Sequence, residues 1–185
     1  MAESTFLHPG AAVRAAGIHE GLLVADFGAG SGFFTRAAAR EVGDAGAVWA
    51  VDQNRDLLPR IKNLSAGEGL NNVEVMHGDI EVVGGTNLPE NHFDFVILAN
   101  VLFMLSERGE CMAEMRRVLK KTGRVLVIDW KDSFGGLGPH PDHVITQEAA
   151  QALFEKHGFT MGPAVPAGEY HWGFVVRKKA AQGAL

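Results

Sequence analysis

Residues 24–33 read VADFGAGSGF, with glycine at 28, 30 and 32. Glycine inside a regular element costs roughly 0.5–1 kcal/mol relative to alanine, so three at alternate positions call for a physical reason. The run that leads into them, LLVADF (22–27), is apolar and of strand length. The run that follows, SGFFTRAAAREVG (31–43), carries Phe33, Phe34, Ala37 and Ala38 on one helical face, with Ser31 as a candidate N-cap and Gly43 as a stop. The glycines therefore occupy a strand-to-helix turn. In an open α/β sheet such a turn lies at the carboxyl edge, where ligands bind. Glycine lets the main chain turn sharply and removes the Cβ that would hold a ligand off.

Outward from this turn the alternation continues. AVWAVD (47–52), VEVMHGD (73–79), FDFVILA (93–99) and RVLVID (124–129) read as strands, and YHWGFVVRKK (170–179) as a terminal strand with a basic edge. Between them, NRDLLPRIKNL sets Leu57, Leu58, Ile61 and Leu64 on one face, with Pro59 compatible only if the helix begins near residue 56–58. SERGECMAEMRRVLKK (106–121) aligns Cys111, Met112, Met115, Val118 and Leu119, and TQEAAQALFEKHG (146–158) has Thr146 as an N-cap and Gly158 as a stop. Apolar strands alternating with helices predict parallel βαβ units covered on both faces, hence a Rossmann-like, doubly wound α/β sheet. The pattern absorbs nearly every residue, so a single domain over 1–185 is expected. Three stretches stay outside it: an N-terminal segment, 1–20, expected to form a cap; EVVGGTNLPENH (81–92); and KDSFGGLGPHPDHVI (131–145). The tail AAQGAL (180–185) is expected to fray.

A chain of 185 residues, 46% apolar and 21% charged, is ordinary for a folded domain with a proper core. Its formal net charge of −5 argues against whole-surface attraction to nucleic acid. The lone cysteine, Cys111, excludes an internal disulfide and a cysteine-based zinc site. No stretch reaches the roughly 18 uncharged apolar residues of a membrane span. MAESTFLHPG lacks the basic and apolar regions of a secretory signal, so the cytoplasm is the expected compartment.

The acids that follow the glycines say what the turn could hold. A dinucleotide fingerprint is G-x-G-x-x-G with an acid about 20 residues on. Gly28, Gly30 and Gly32 are one residue shorter than that pattern, and Phe33 stands where its last glycine would be, yet the acid is present as Asp52 at the end of the second strand. A carboxylate there is placed to accept both hydroxyls of a ribose, or else to cap the next helix. Asp79, which ends the third strand, could accept from an exocyclic adenine amine with Ile80 beside the ring, or cap a loop. No P-loop Lys-Ser/Thr pair follows the glycines, so a triphosphate is not expected.

VADFGAGSG, WAVDQN, HGDI, FDFVILAN and GRVLVIDW, in that order and spacing, resemble the class I S-adenosylmethionine-dependent methyltransferases over about residues 6–179. FLHPGAAVRAAGIHEG and IDWKDSFGGLGPHPDHV are similar, more narrowly, to the type 11 and quinone-biosynthesis C-methyltransferases. The resemblance implies a mostly parallel seven-stranded sheet with the last strand antiparallel and helices on both faces. It implies S-adenosylmethionine as the methyl donor and S-adenosylhomocysteine as the product. Asp26 and the backbone of Gly28, Ala29 and Gly30 would hold the methionine amino and carboxylate groups. Asp52 with Gln53 would bind the ribose, Gly78, Asp79 and Ile80 the adenine, and Asn100 would face the methyl donor. Many relatives near the quinone enzymes carry a histidine three residues after that asparagine; Phe103 stands here, which leaves the position without a base.

Methyl transfer from a sulfonium is an in-line displacement with a neutral leaving group. The protein supplies alignment and exclusion of water, and a base only if the nucleophile arrives protonated. The acceptor pocket is expected from the segments outside the alternating pattern. Residues 131–145 are expected to form a lid: Gly135, Gly136 and Gly138 give freedom, and Pro139 and Pro141 stiffen the part that closes. Trp130, His140 and His143 are the candidates on this side, Trp130 through its ring face and the histidines as bases or positioning groups; Tyr170 and His171 open the last strand near the same edge. His140, Asp142 and His143 lack a further ligand, so no metal is expected. Phe6, Leu7, Phe103, Trp130 and Phe134 would form an apolar wall for a small, partly apolar acceptor. Two other functions share these features: a nicotinamide-dependent oxidoreductase, and a non-catalytic protein that keeps the nucleoside pocket.

Overall fold

The computed structural model describes residues 6–180. The first five residues of the expected cap and residues 181–185 of the expected frayed tail lie outside the described residues. The elements run α1 (Pro9–Ala15), β1 (Leu23–Phe27), α2 (Phe33–Val42), β2 (Ala47–Asp52), α3 (Leu57–Gly67), β3 (Val73–His77), β4 (Phe93–Ala99), α4 (Arg108–Val118), β5 (Leu119–Trp130), α5 (Gln147–Lys156), β6 (Phe159–Ala164) and β7 (His171–Lys178). They form one seven-stranded sheet in the order β3-β2-β1-β4-β5-β7-β6. The first five are parallel to their neighbours, and β7 runs antiparallel to both β5 and β6. The order reverses at β1, between β2 and β4, and this reversal opens a crevice at the carboxyl edge.

Alternation along each strand divides the core into two layers. Ala25, Phe27, Phe93, Val96 and Leu98 pack with α4 and α5 through Met112, Met115, Ala150 and Phe154. Val24, Val48, Phe95 and Ile97 pack on the other face with Ala12 and Val13 of α1, Ala38 of α2 and Ile61 of α3. Each fully buried Phe, Ile or Leu side chain stabilises by roughly 1.5–3 kcal/mol. Both faces of β1 and β4 are therefore occupied, and these strands tolerate no polar side chain without a partner.

Several local expectations are corrected. α2 is capped by Gly32, in the left-handed region at φ +73°, with no side-chain cap bond, so Ser31 is not its cap. Phe33, placed on the core face by periodicity, is 64% exposed, whereas Phe34, Ala37 and Ala38 are buried. α4 ends at Val118, and Leu119 to Thr122 join β5 instead of prolonging the helix. There the pairing of β4 with β5 slips between Phe93 and Phe95, and Lys120 pairs with Asp94 at 2.8 Å. Within the segment 1–20 a short helix forms, started by Pro9 and by His8, whose Nδ1 accepts from the Ala11 N–H at 3.2 Å. No helix among the described residues is long and apolar enough to cross a membrane.

Candidate active site

The carboxyl ends of β1 to β5 meet the start of β7 because β7 is antiparallel, with Trp130 at the end of β5 registered opposite His171. A cavity of about 680 Å³ opens at this edge, a volume suited to small molecules. Asp26, Gly28, Ala29, Gly30, Asp52, Gln53, Gly78, Asp79, Ile80, Asn100 and Trp130 all line it. His140 and His143 do not. They stand on an exposed loop, where His140 Nδ1 accepts from the Asp142 N–H at 3.4 Å. Phe103 and Phe134 are likewise outside the lining, while Phe6, Leu7, Phe33, Met104, Leu105 and His171 are part of it.

The glycine turn is shaped by packing on one side and open on the other. A Cβ on Gly28 would lie 2.8 Å from Val101 Cγ2, too close for any real side chain. Gly30 has φ +54°, and a Cβ there would meet nothing nearer than the Gly28 carbonyl at 3.9 Å. A side chain at Gly30 would therefore stand in the cavity. The turn's N–H groups serve the protein itself: those of Gly28 and Ala29 donate to the Val51 carbonyl at 2.9 and 3.0 Å, and that of Gly30 to Asp52 Oδ2 at 2.9 Å. What the turn offers a ligand at Gly30 is space.

Asp52 thus ties β2 to the turn. Its second oxygen accepts from the Asn54 N–H at 2.9 Å. A carboxylate offers about four acceptor sites, so two remain for hydroxyl groups. Asp26 is 2% exposed and accepts from Thr35 Oγ1 at 2.5 Å. Burial, opposed by the Thr35 hydrogen bond and reinforced by the charge of Asp52, raises its pKa to about 6. Asp79 is exposed at the rim, and its Oδ1 accepts from the Glu81 N–H.

At the other end of the cavity, Asn100 holds a left-handed backbone at φ +58°, and its Oδ1 is buried without a protein hydrogen-bond partner. Asparagine tolerates this conformation better than most residues, but it is still strained and such strain clusters at functional positions. Asp129, fully buried, accepts from the N–H groups of Trp130 at 2.8 Å and Phe103 at 3.1 Å, and so fixes the chain on both sides of the opening. Burial, outweighing those hydrogen bonds and Arg108, raises its pKa to about 6. His171 is 5% exposed, its ring lies 4.2 Å from that of Trp130, and neither of its nitrogens has a protein partner. Burial, aided by Lys131, lowers its pKa to about 4, so it is neutral at pH 7. In the sequence His171 carries no more signal than the loop histidines; what distinguishes it is its register opposite Trp130.

The chain matches a family model described as a methyltransferase domain over residues 18–162. Among solved structures it is similar to a SAM-dependent methyltransferase from Aquifex aeolicus, with 29% identity and a TM-score of 0.85 over 94% of this chain and 90% of that one. A putative type 11 methyltransferase from Sulfolobus solfataricus, 24% identical with a TM-score of 0.69 over 88% of this chain and 87% of that one, shares the fold. A ubiquinone/menaquinone biosynthesis C-methyltransferase from Paraburkholderia phytofirmans is 32% identical over 118 residues, which are 64% of this chain and 47% of the relative. The chain spans about half the length of such curated relatives.

Proposed function

Since this chain belongs to the class I S-adenosylmethionine-dependent methyltransferases, we propose that its cavity holds adenosylmethionine over the glycine turn and a small, largely apolar methyl acceptor beside Trp130. The observation that carries this reading is the division of the lining. Asp26, Asp52, Asp79 and the glycines belong to β1, β2 and β3 and the turns that follow them, whereas Trp130 and His171 belong to β5 and β7 on the far side of β4. Four acids line the cavity, and no Lys or Arg does among the described residues. That negative field suits a donor bearing a sulfonium and an ammonium. The residues fit the donor on two further counts: Gly30 leaves open the space a Cβ would fill, and Asn100 Oδ1 is buried without a partner.

Bound adenosylmethionine supplies a methyl group already activated on sulfur. Asp26 would hold the ammonium, Asp52 and Gln53 the ribose, and Gly78, Asp79 and Ile80 the adenine. Asn100 would stand toward the methyl group. Asp129 does not reach the substrate; through the Phe103 and Trp130 main chain it holds the opening in shape. Leu7 and Trp130, half-buried in the lining, with the exposed Phe6 and Met104 at its mouth, would cover the acceptor and exclude water once it binds, which an in-line displacement requires. The named activity of the relatives favours a quinol-like acceptor methylated at carbon, and the apolar lining is compatible with one.

Calorimetry and a transfer assay test this reading. Adenosylmethionine binds and NAD does not. Asp52→Ala weakens adenosylmethionine by about 1.5–3 kcal/mol, because it removes an ionised acceptor and the tether of Gly30 together. Naphthohydroquinone incubated with adenosylmethionine gains one methyl mass. No adenosylmethionine binding, or an unchanged dissociation constant in the variant, overturns the site.

A further inference from the structure

Four buried side-chain polar atoms among the described residues have no hydrogen-bond partner: Ser65 Oγ, Asn100 Oδ1 and the two nitrogens of His171. Three of the four belong to residues that line one cavity. A buried polar atom left without a partner costs about 1–3 kcal/mol. Concentrating that cost at one wall is expected where a ligand completes the hydrogen bonds. We propose that His171 positions the methyl acceptor by hydrogen-bonding one of its hydroxyl groups, and that the acceptor is uncharged, hydroxyl-bearing and largely apolar. This rests on the methyltransferase reading of the cavity.

The charge class follows from what stands near the imidazole. Its carboxylate neighbour in the sheet, Asp129, is fully buried and is not part of the cavity lining, so it presents no oxygen to a cationic acceptor. The cation nearest in sequence to Trp130, Lys131, donates to the carbonyls of Gly168 and Glu169 and is not part of the lining. Beside the imidazole an ammonium or a carboxylate on the acceptor would therefore be desolvated with no counter-ion on that wall, since the lining acids lie in β1 or at and just beyond the ends of β2 and β3, and buried charges do not tolerate this. A hydroxyl meets a different environment. A neutral imidazole has one acceptor and one donor nitrogen, and the acceptor nitrogen can take an O–H. The Trp130 ring, 4.2 Å from the imidazole and tilted by 40°, gives the apolar remainder of the acceptor a flat wall.

The test uses four probes of one shape on the full chain saturated with S-adenosylhomocysteine: naphthol, methylnaphthalene, naphthoate and naphthylmethylamine in its ammonium form. Calorimetry on the wild type is expected to show naphthol binding about tenfold tighter than methylnaphthalene, the value of one net hydrogen bond. Both charged probes should bind more weakly than either. His171→Leu should remove the tenfold preference and leave methylnaphthalene unchanged, and His171→Gln, which keeps an acceptor and a donor, should restore part of it. A preference for naphthol that survives His171→Leu, tightest binding of a charged probe, or no naphthol preference in the wild type overturns the proposal. The wild-type panel decides the charge class even if a variant fails to fold. Because adenosylhomocysteine binding is measured first, loss of the donor site and loss of the acceptor assignment register separately.

Discussion

At the scale of single residues, the cavity contains two kinds of acid with opposite legibility. Asp52 and Asp79 are legible in the sequence because Asp52 ends β2 and Asp79 lies two residues beyond β3, which ends at His77 and not, as expected, at Asp79, and strand ends in a parallel sheet share one edge. Asp26 lies within β1, and only burial shows how its charge is controlled. With its pKa near 6, it is partly protonated in mildly acid solution. The donor's ammonium binds the ionised form, so protonation competes with binding. Adenosylmethionine affinity should therefore be flat above pH 7 and fall toward tenfold per unit below about 6, as expected when one proton must leave for binding. Calorimetry between pH 5 and 8 checks this, and Asp26→Asn should flatten the profile while binding more weakly at pH 8. An unchanged slope in the variant would remove Asp26 from the ammonium. The histidines teach the converse lesson. His140 and His143 attracted notice through their spacing and flanking prolines, yet they face solvent. His171 has no motif around it, and only the antiparallel register that sets it against Trp130 places it in the cavity.

At the scale of elements, strong periodicity located β1 to β5, β7 and four of the five helices, and it failed where burial is thin. FTMGPA, which forms β6, has only Phe159 buried and carries Gly162 and Pro163, so neither period two nor an apolar run marks it. It is an edge strand held by β7 alone, and edge strands tolerate such residues. α1 is too short for a helical stripe to register. The 131–145 segment is built as two single turns, Phe134–Gly136 and Pro141–His143, with Gly135 and Gly136 in the left-handed region at φ +66° and +100°. Gly138 abuts Trp130: a Cβ there would lie 3.0 Å from its ring and 2.6 Å from the Asp132 carbonyl. Phe134 meets Tyr170 edge to face at 4.9 Å, and Tyr170 meets Phe6. The segment thus backs the acceptor wall, and none of its residues belongs to the cavity lining. We propose that it works as a lid on the acceptor side. Deleting Gly135 to Gly138 should lower kcat at least about tenfold and leave the adenosylmethionine dissociation constant within about twofold, since alignment is lost and the donor site is not. Equal losses in both, or full turnover, would show that the segment is a plain connection.

At the scale of the whole molecule, three buried ionisable groups at one sheet edge make stability depend on pH in opposing directions. Asp26 and Asp129 have folded pKa values raised to about 6 from 3.8, chiefly by burial. Between about pH 6 and 4 the folded state takes their protons before the unfolded chain does, so acidification favours folding through these two groups. His171 acts the other way. Its folded pKa is lowered to about 4 from 6.5. Between pH 6.5 and 4 the unfolded chain binds the proton and the folded state does not, so the same acidification costs stability. Glu114 is shifted the opposite way from the two aspartates. Burial works against its charge, but hydrogen bonds from Arg117, Thr86 and Gly84 outweigh it and hold its pKa below 4.5. The opposing contributions flatten the wild-type profile, which hides each of them. A difference measurement recovers the histidine. One pKa unit corresponds to about 1.4 kcal/mol, so between pH 7 and 4.5 His171 should cost the wild type about 2–3 kcal/mol. His171→Gln has no proton to bind in either state, and its stability relative to wild type should therefore improve by that amount on acidification, read from urea unfolding at the two pH values. Parallel losses in the two proteins would mean that the imidazole is hydrated in the folded state, and the dry acceptor wall inferred from it would go as well.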